Sequence, residues 1–451
     1  MSSTLHRRRR LVFPLAAASA VALTLAGCTG DIAAEDAADV DCSDYEAYGD
    51  FTDANPEVNI YGTIVEVEAD RLNESWKDFE TCTGIDIVYE GTQQFETQIN
   101  VRAQGGNPPD LAITPQPGLV ASLARAGFLK PAPQSVEDNV DEFWSEDWKA
   151  YGTVDDEFVG APLMASVKGY VWYSPSFFEE NGYEVPKSLE ELTTLSEQIA
   201  ADGVKPWCAG FASDAATGWP GTDWIEDMVL RLAGPDVYDQ WVAHEIPFND
   251  PQIVAAFDAA GDILKNPEFV NGGYGEVNSI VSLPFGEGGL PILDDQCAMH
   301  HQATFYEGFW PEGTEVAEDG DVWAFLTPPA QEGDELAISG GGEIVAAFTD
   351  TDEVVAVQTY LSSDTWANSR VSLGGVISAN NGLDTSNASS DLLKNAAETL
   401  QDPNTVFRFD ASDLMPAAVG ANSFFKGIVD WMGGQSSQQT TDAIEASWPA
   451  E

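Results

Sequence analysis

One short segment of the sequence combines flat aromatic rings with a carboxylate. Between Trp219 and Trp224, two tryptophans flank a Pro-Gly turn, and Asp223 lies at the start of an apolar helical pattern. Aromatic rings stack on flat C–H patches and carboxylates accept hydrogen bonds from hydroxyls, so Trp219, Asp223 and Trp224 are candidate contacts to a ligand that presents both. Structural interpretations remain open, because Asp223 with Glu226 also matches a capping box and Trp224 also fits the core face of the helix.

Further polar candidates lie where predicted strands end. Gln94 follows a strand that ends at Tyr89, and Gln116 follows a strand at 110–114. Ligand sites in α/β folds lie beyond the carboxyl ends of strands, and amides both donate and accept hydrogen bonds. Both glutamines therefore suit a ligand rich in hydroxyls, although helix capping and turn polarity explain each of them equally well.

The elements that would position these residues alternate between strand and helix. An apolar run at 58–67, a helical pattern at 72–79 and a second apolar run at 85–89 form a strand–helix–strand unit within about thirty residues. Such units are typical of a parallel sheet covered by helices. The alternation continues along the chain without an internal repeat, so the sequence predicts an α/β protein with two lobes.

The composition is strongly acidic. Asp and Glu number 75 against 19 Lys and Arg, which gives a formal net charge of −56. Such a surface repels nucleic acid and anionic lipid headgroups, so we expect no nucleic-acid partner. The hydrophobic content of 43% is sufficient for packed cores. We attribute the charge to solvation, with a saline habitat as a hypothesis, rather than to an acidic binding function.

The N-terminus has a basic start, an apolar middle and small residues, which is the pattern of a secretory signal. The run Leu25-Ala26-Gly27-Cys28 resembles the lipobox of bacterial lipoproteins. That resemblance implies that residues 1–27 are a lipoprotein signal peptide and that the Cys28 thiol is acylated. No later segment has the ~20 consecutive apolar residues of a membrane helix. Residues 28–57 are rich in Ala, Asp, Glu and Ser and are predicted to form an acidic tether.

The expected disulfides depend on this assignment of Cys28. Four other cysteines remain, and an even number outside the membrane suggests two disulfides. We pair Cys42 with Cys82, because both lie in the N-terminal part, and Cys208 with Cys297. The sequence alone allows three pairings. The absence of a C-x-x-C motif leaves redox and zinc chemistry without support.

Several short segments, weak one by one, occur in a characteristic order behind the lipobox. They are Gly106–Ala112, Gln116–Gly118, Lys168–Tyr173, Pro206–Cys208, Ala216–Trp224, Gly340–Glu343 and Gly374–Ser378. Together they resemble the extracellular solute-binding proteins of carbohydrate ABC importers, the family that includes maltose-binding protein. Within that family, the subgroup linked to α-glucosides is the most similar, and the resemblance extends from about residue 58 to the end.

The resemblance implies a type II periplasmic-binding-protein fold, with two discontinuous α/β lobes joined by a hinge. Chain crossings between the lobes are expected near 162–168, near Cys297 and near 339–343. Glycines at 340–342 would absorb backbone changes at such a crossing. The expected boundaries of the N-terminal lobe and then the C-terminal lobe are 58–163 with 297–338, and 164–296 with 339–451.

The resemblance also adds candidates to the site. Residues after the glycine run should face the cleft, which makes Gly342 and Glu343 candidate ligand contacts. A related position in the family often carries an aromatic residue, so Glu343 favours hydrogen bonds to hydroxyls over stacking; hinge hydrogen bonding is the alternative. Gly375 would let a backbone N–H approach a ligand, or it forms a plain turn.

Nothing in the sequence points to catalysis, a metal or a cofactor. The chain has four histidines and lacks the H-E-x-x-H, G-x-S-x-G and nucleotide-loop motifs. The resemblance implies a monomer anchored by lipid to the extracellular face of the cell membrane, with a carbohydrate ligand and the permease subunits as partners. A binding protein for a polyamine or peptide is the alternative. A secreted glycosidase is less favoured, because 75 acidic residues make a carboxylate pair easy to find by chance.

Overall fold

Two mixed β-sheets covered by helices organise residues 40–449, the part of the chain that the computed structural model describes. The strands are β1 (Glu57–Gly62), β2 (Asp86–Gly91), β3 (Leu111–Thr114), β4 (Thr153–Val154), β5 (Glu157–Phe158), β6 (Gly160–Val167), β7 (Tyr170–Tyr173), β8 (Lys205–Cys208), β9 (Val270–Asn271), β10 (Cys297–Gln302), β11 (Trp323–Leu326), β12 (Ile338–Ala347) and β13 (Phe407–Phe409).

The α-helices pack on both sheets. They are α1 (Glu66–Glu74), α2 (Lys77–Thr83), α3 (Phe95–Gln104), α4 (Pro117–Arg125), α5 (Gln134–Phe143), α6 (Glu146–Tyr151), α7 (Pro175–Asn181), α8 (Leu189–Ala201), α9 (Trp219–Leu232), α10 (Pro235–Val242), α11 (Pro251–Leu264), α12 (Asp352–Leu361), α13 (Asp364–Ser372), α14 (Asp391–Gln401), α15 (Ala411–Leu414), α16 (Phe425–Met432) and α17 (Ser437–Glu445).

Local sequence explains where several helices begin. Asp250 accepts a hydrogen bond from the Gln252 N–H at 2.9 Å and caps α11. Ser188 caps α8 in the same way, and Pro117 occupies the first turn of α4, where its missing N–H costs nothing. The predicted helix at 72–79 is divided into α1 and α2 at Ser75, whose hydroxyl donates to the Leu72 carbonyl.

The first sheet has the strand order β13–β12–β3–β1–β2, and β6 also pairs with β12. Strand β1 is parallel to β2 and to β3, as the predicted strand–helix–strand pattern requires. The predicted strand at 58–67 ends earlier, at Gly62, because Glu66 already begins α1. This sheet and its helices, built from 41–167 and 338–409, are called the first lobe below.

The second sheet has the order β11–β7–β10–β8–β9, and it overturns part of the predicted lobe boundaries. Residues 297–338 were expected in the N-terminal lobe. Strand β10 instead pairs with β7 and β8, with Met299 opposite both Tyr173 and Trp207. Strand β12 and helices α12 to α14 belong to the first lobe, whereas 411–445 packs on the second. The second lobe thus comprises 170–326 and 411–445.

Three crossings connect the lobes, at 167–170, 326–338 and 409–411. The expected crossing near Cys297 is wrong, because Cys297 begins a strand in the middle of the second sheet. The crossing expected at 339–343 is found earlier in the chain, at 326–338, because residues 339–343 already belong to β12.

The glycine run at 340–342 serves close packing rather than a flexible turn. These residues pair in β12 with Ala165 to Val167 of β6. A Cβ at Gly340 would lie 2.6 Å from the Ser166 carbonyl oxygen, and one at Gly342 would overlap the Met164 carbonyl oxygen. The expectation that these glycines absorb backbone changes is therefore corrected: they let two strands approach closely.

Part of the predicted tether at 28–57 is folded. Cys42–Tyr48 forms a 3-10 helix, and Tyr45 and Tyr48 pack edge-on against Phe79 and Tyr360. The correction has a clear physical cause, since aromatic burial and a disulfide hold a segment whose composition is otherwise polar. Cys28 and the predicted signal peptide at 1–27 lie outside the described residues.

Both predicted disulfides are confirmed. Cys42 is bonded to Cys82 with 5.4 Å between their Cα atoms, and Cys208 is bonded to Cys297 with 5.6 Å. The second bond joins the neighbouring strands β8 and β10. A search of the described residues finds no helix with the length and apolar character needed to cross a membrane.

Candidate ligand-binding cleft

A cleft opens between the two lobes. It contains about 1060 Å³ of empty space, including its opening to solvent. The first lobe contributes Thr63, Gln93 and Gln116, which follow β1, β2 and β3 in turn. The cleft therefore lies beyond the carboxyl ends of parallel strands, where ligand sites of α/β folds occur. Gln116 lines it as predicted, whereas Gln94 is absent from its wall and its neighbour Gln93 faces the cavity.

Aromatic rings of the second lobe form one wall of the cleft. The Trp219 ring centroid lies 5.2 Å from that of Phe285 and 6.0 Å from that of Phe305, and all three residues line the cavity. Gly218 positions Trp219 at the start of α9: its φ is 113°, and a Cβ there would overlap the Phe425 carbonyl oxygen. The wall offers C–H and π surface to the face of a ring.

Trp224 does not reach the cleft. It is 2% exposed, and its ring centroid lies 4.9 Å from that of Trp207 and 4.4 Å from that of His301. This corrects its place among the predicted ligand contacts, because the helical period of α9 turns Trp224 into the core of the second lobe.

Asp223 lies beneath the cleft and binds Lys168 instead of facing the cavity. The Lys168 Nζ donates to Asp223 Oδ1 at 2.9 Å and also to Asp410 Oδ2. Burial opposes the charge of the ammonium, but the carboxylates of Asp223, Asp410 and Asp413 raise the pKa of Lys168 above its ordinary value. Lys168, Asp410 and Asp413 all line the cleft.

The same acids resemble a cation site in their spacing. One carboxylate oxygen each from Asp223, Glu226 and Asp410 lie within 4.8 Å of one another. The Lys168 ammonium bonds to Asp223 and Asp410, so the protein itself supplies the positive charge there. Burial raises the pKa of Asp223 and of Asp413 well above the ordinary range. The Lys168 ammonium therefore offsets part of the negative charge of the cluster.

Three further acids, Glu68, Glu96 and Glu343, face the cleft from the first lobe. Burial raises the pKa of Glu68 and that of Glu343 to about 7, an effect that the Arg370 guanidinium partly offsets. Burial also raises the pKa of Glu96, whose Oε1 accepts a hydrogen bond from Gln116 Nε2 at 3.3 Å. A protonated carboxyl group both donates and accepts hydrogen bonds. The wall therefore suits hydroxyls better than a cationic group.

Of the two candidate glycines, one lines the cleft and the other does not. Gly342 lines the cleft next to Glu343, as predicted. Gly375 is not part of the wall, because the Arg71 guanidinium fills the space where a side chain at Gly375 would lie, and Gly308 packs on the other side. The expectation that the Gly375 backbone meets a ligand is corrected accordingly.

Several lining residues escaped the sequence analysis. Glu68 and Glu96 lie near the beginnings of helices that follow parallel strands, so the rule used for Gln116 could have found them. Phe285 and Phe305 lie in short 3-10 helices. No sequence periodicity marks such positions, and only the fold brings them beside Trp219.

The fold and the cleft define a class: a two-lobed α/β protein with a cleft between its lobes that is lined by aromatic rings and polar side chains. The sequence model of the bacterial extracellular solute-binding protein family matches residues 66–367, and the chain belongs to that family. It is a substrate-binding protein and not an enzyme. The expected family, fold and absence of catalysis are thus confirmed.

Relatives of known name cover most of the chain. It is 39% identical over 396 residues to the osmoprotective compounds-binding protein GgtB of Synechocystis sp., which covers 87% of this chain and 92% of that protein. It is 38% identical over 386 residues to the alpha-glucosides-binding periplasmic protein AglE of Rhizobium meliloti, with 82% of each chain covered. Crystal structures of the bacterial solute receptor AcbH match with a TM-score of 0.74 at 18% identity, over 87% of this chain and 98% of that one. That likeness concerns the fold alone.

Proposed function

We propose that this protein is the solute-binding component of a sugar ABC importer and that it binds a neutral α-linked glucoside in the cleft. The observation that carries the proposal is the pairing of two walls. Trp219, Phe285 and Phe305 offer a face for stacking, and carboxyl groups such as Glu343 lie around the same cavity. Sugars present C–H faces and hydroxyl rims, which these two walls complement.

The α-glucoside assignment draws further support from the relative AglE, whose name states that ligand class. The name of the relative GgtB adds osmoprotective compounds to the candidate ligands. Compact neutral α-glucosides such as trehalose and sucrose satisfy both descriptions, so they belong in the ligand screen beside maltose and longer α-linked saccharides.

A polyamine is the main rival ligand, since the cleft holds many acids. Two features argue against it. The Lys168 ammonium occupies the centre of the acid cluster, and burial keeps Glu68 and Glu343 partly protonated near neutral pH. A cationic ligand would meet a like charge and weakened counter-charges, whereas a neutral hydroxyl meets donors and acceptors.

Delivery to a membrane permease requires the protein to remain near the membrane. We propose an acyl anchor on Cys28 at the extracellular face and a monomer that closes its lobes on the ligand. Replacing Cys28 with Ala should release the protein into the medium, and labelled palmitate should mark the unaltered chain alone. Retention of the C28A chain in the membrane fraction would contradict the anchor.

A thermal-shift screen tests the ligand class. Saturation at 100 times the dissociation constant should add about 2.7 kcal/mol to the free energy of unfolding, which raises the midpoint measurably. The panel comprises maltose, trehalose, sucrose, spermidine and a short neutral peptide. We expect at least one α-glucoside to raise the midpoint. A shift with spermidine or the peptide, and with no saccharide, would contradict the proposed function.

A further inference from the structure

One hydrogen-bond donor of the Lys168 ammonium has no acceptor among the residues that the structure describes. An ammonium carries three N–H donors. Two of them bind Asp223 and Asp410, and Lys168 lines the cleft with its side chain 10% exposed. Its Nζ lies 5.4 Å from the centre of the Trp219 ring. The ammonium thus lies over the Trp219 ring at the wall of the cleft, and a ligand beside that ring is the partner still open to its third donor.

Lys168 also lies where the crossings between the lobes meet. It falls between β6 and β7, in the first crossing, and its backbone N–H donates to the Ser339 carbonyl at 2.9 Å, at the second. Asp410 follows β13 in the third crossing, and its N–H donates to the Gly340 carbonyl at 2.8 Å. Asp223 belongs to α9, which begins at Trp219. One ammonium therefore links the hinge to the helix that carries the aromatic wall.

The position of Lys168 is held by its two ion pairs. Its stem packs beside Gly341 of β12, where even a Cβ would lie at an ordinary van der Waals distance of 3.5 Å from the Lys168 Cε. The two carboxylates restrict rotation of the ammonium, so its third donor has a preferred direction. A donor held in this way discriminates between ligands better than one on a mobile side chain.

We propose that Lys168 donates its third N–H to an oxygen of the bound sugar beside the Trp219 ring. The inference rests on the proposed sugar ligand and adds a chemical requirement to it. The ligand must present a hydrogen-bond acceptor at that position. A sugar that lacks this oxygen, or carries an amino group there, binds weakly, because the buried donor then loses its partner or meets a positive charge.

A series of monodeoxy sugars tests this contact. Isothermal titration is carried out with the best saccharide of the ligand screen and its monodeoxy analogues, on the unaltered protein and on Lys168→Met. On the unaltered protein, one analogue should lose at least tenfold in affinity, the loss expected for a bond to a charged donor. On K168M that same analogue should lose less than twofold relative to the parent sugar, while losses at the other positions persist.

Two controls keep the result interpretable. Lys149→Met removes another ion-paired lysine, bound to Glu137 and Asp141, and should reproduce the unaltered pattern. If K168M does not fold, the pair Lys168→Met with Asp410→Asn removes one charge of each sign and takes its place. Identical deoxy patterns with and without the lysine would overturn the Lys168 contact but leave sugar binding standing. Failure of every saccharide to bind the unaltered protein would overturn the contact and the proposed function together.

Discussion

Ser339, where the second crossing enters the first lobe, donates its hydroxyl to Asp227 Oδ1 on α9 at 2.8 Å. The other oxygen of Asp227 lies 2.9 Å from His301 Nε2, and Arg231 one turn later binds the Thr327 and Ala337 carbonyls. Helix α9 thus holds the crossing segments with one buried face and begins with Trp219 in the cleft. The aromatic wall of the cleft and the hinge contacts are therefore built on the same helix.

Asp227→Ala should destabilise the protein by about 3 kcal/mol, because removing one partner of a buried charge network leaves the others unpaired. Burial opposes the charge of Asp227, but Arg231 and His301 hold the pKa of this carboxyl below its usual range, so the group is ionised at neutral pH. Urea unfolding at pH 7 measures the change. The exposed Asp262→Ala on α11 is the matched control, expected within about 0.5 kcal/mol of the unaltered protein. Equal midpoints for the two variants would contradict the role of Asp227.

Trp219→Ala should weaken saccharide binding at least tenfold and leave the unfolding midpoint nearly unchanged. The ring lines the cleft and is only partly buried, so its main loss is the stacking face. Tyr274→Ala provides the comparison, since Tyr274 is 65% exposed and absent from the wall of the cleft. Titration calorimetry measures the affinity. If W219A binds saccharide as tightly as the unaltered protein, the proposed role of the aromatic wall in binding is contradicted.

The free energy of unfolding should fall as the pH rises from 5 to 8, with Glu68 and Glu343 contributing. Burial raises the pKa of each to about 7 in the folded protein, against 4.5 as the ordinary value. Between these values the folded state binds more protons than the unfolded state, so stability is highest at the acidic end and is lost towards pH 7. The double variant E68Q/E343Q should show a flatter profile in urea titrations at pH 5, 6, 7 and 8. Parallel profiles would show that neither group titrates in this range.

Salt should stabilise the folded protein. With a formal net charge of −56, self-repulsion opposes the compact state, and screening shortens its range from about 10 Å at 0.1 M salt to about 3 Å at 1 M. We expect the thermal midpoint of unfolding to rise when sodium chloride is increased from about 0.05 M to about 1 M. An unchanged midpoint would contradict the hypothesis of adaptation to a saline habitat.

The sequence was most informative where a local rule applied. The unit from β1 to β2 follows from apolar periodicity, and the position of Gln116 follows from the end of β3. Both disulfides match the pairing that we preferred among the three that an even cysteine count allows. Trp219, at the first position of α9, lines the cleft, and its contact with a sugar stays a prediction.

The errors arose where long-range pairing decides the outcome. Nothing local distinguishes Cys297 at a crossing from Cys297 in the middle of a sheet; its pairing with β8 does. Trp224 is apolar and next to a candidate site, but the turn of α9 directs it to the core. The Gly340 to Gly342 run serves close strand packing, a requirement set by β6, which is more than 170 residues earlier in the chain.

The central claim is that the cleft binds an α-linked glucoside. Titration calorimetry with matched isomers tests it most directly: maltose against cellobiose, and isomaltose against gentiobiose, which differ only in the anomeric linkage. We expect at least one α-linked member to bind with a stoichiometry of one, and its β-linked partner to bind at least tenfold more weakly. A β-linked isomer that binds as tightly as its α-linked partner, or binding of spermidine with no response to any saccharide, would contradict the claim.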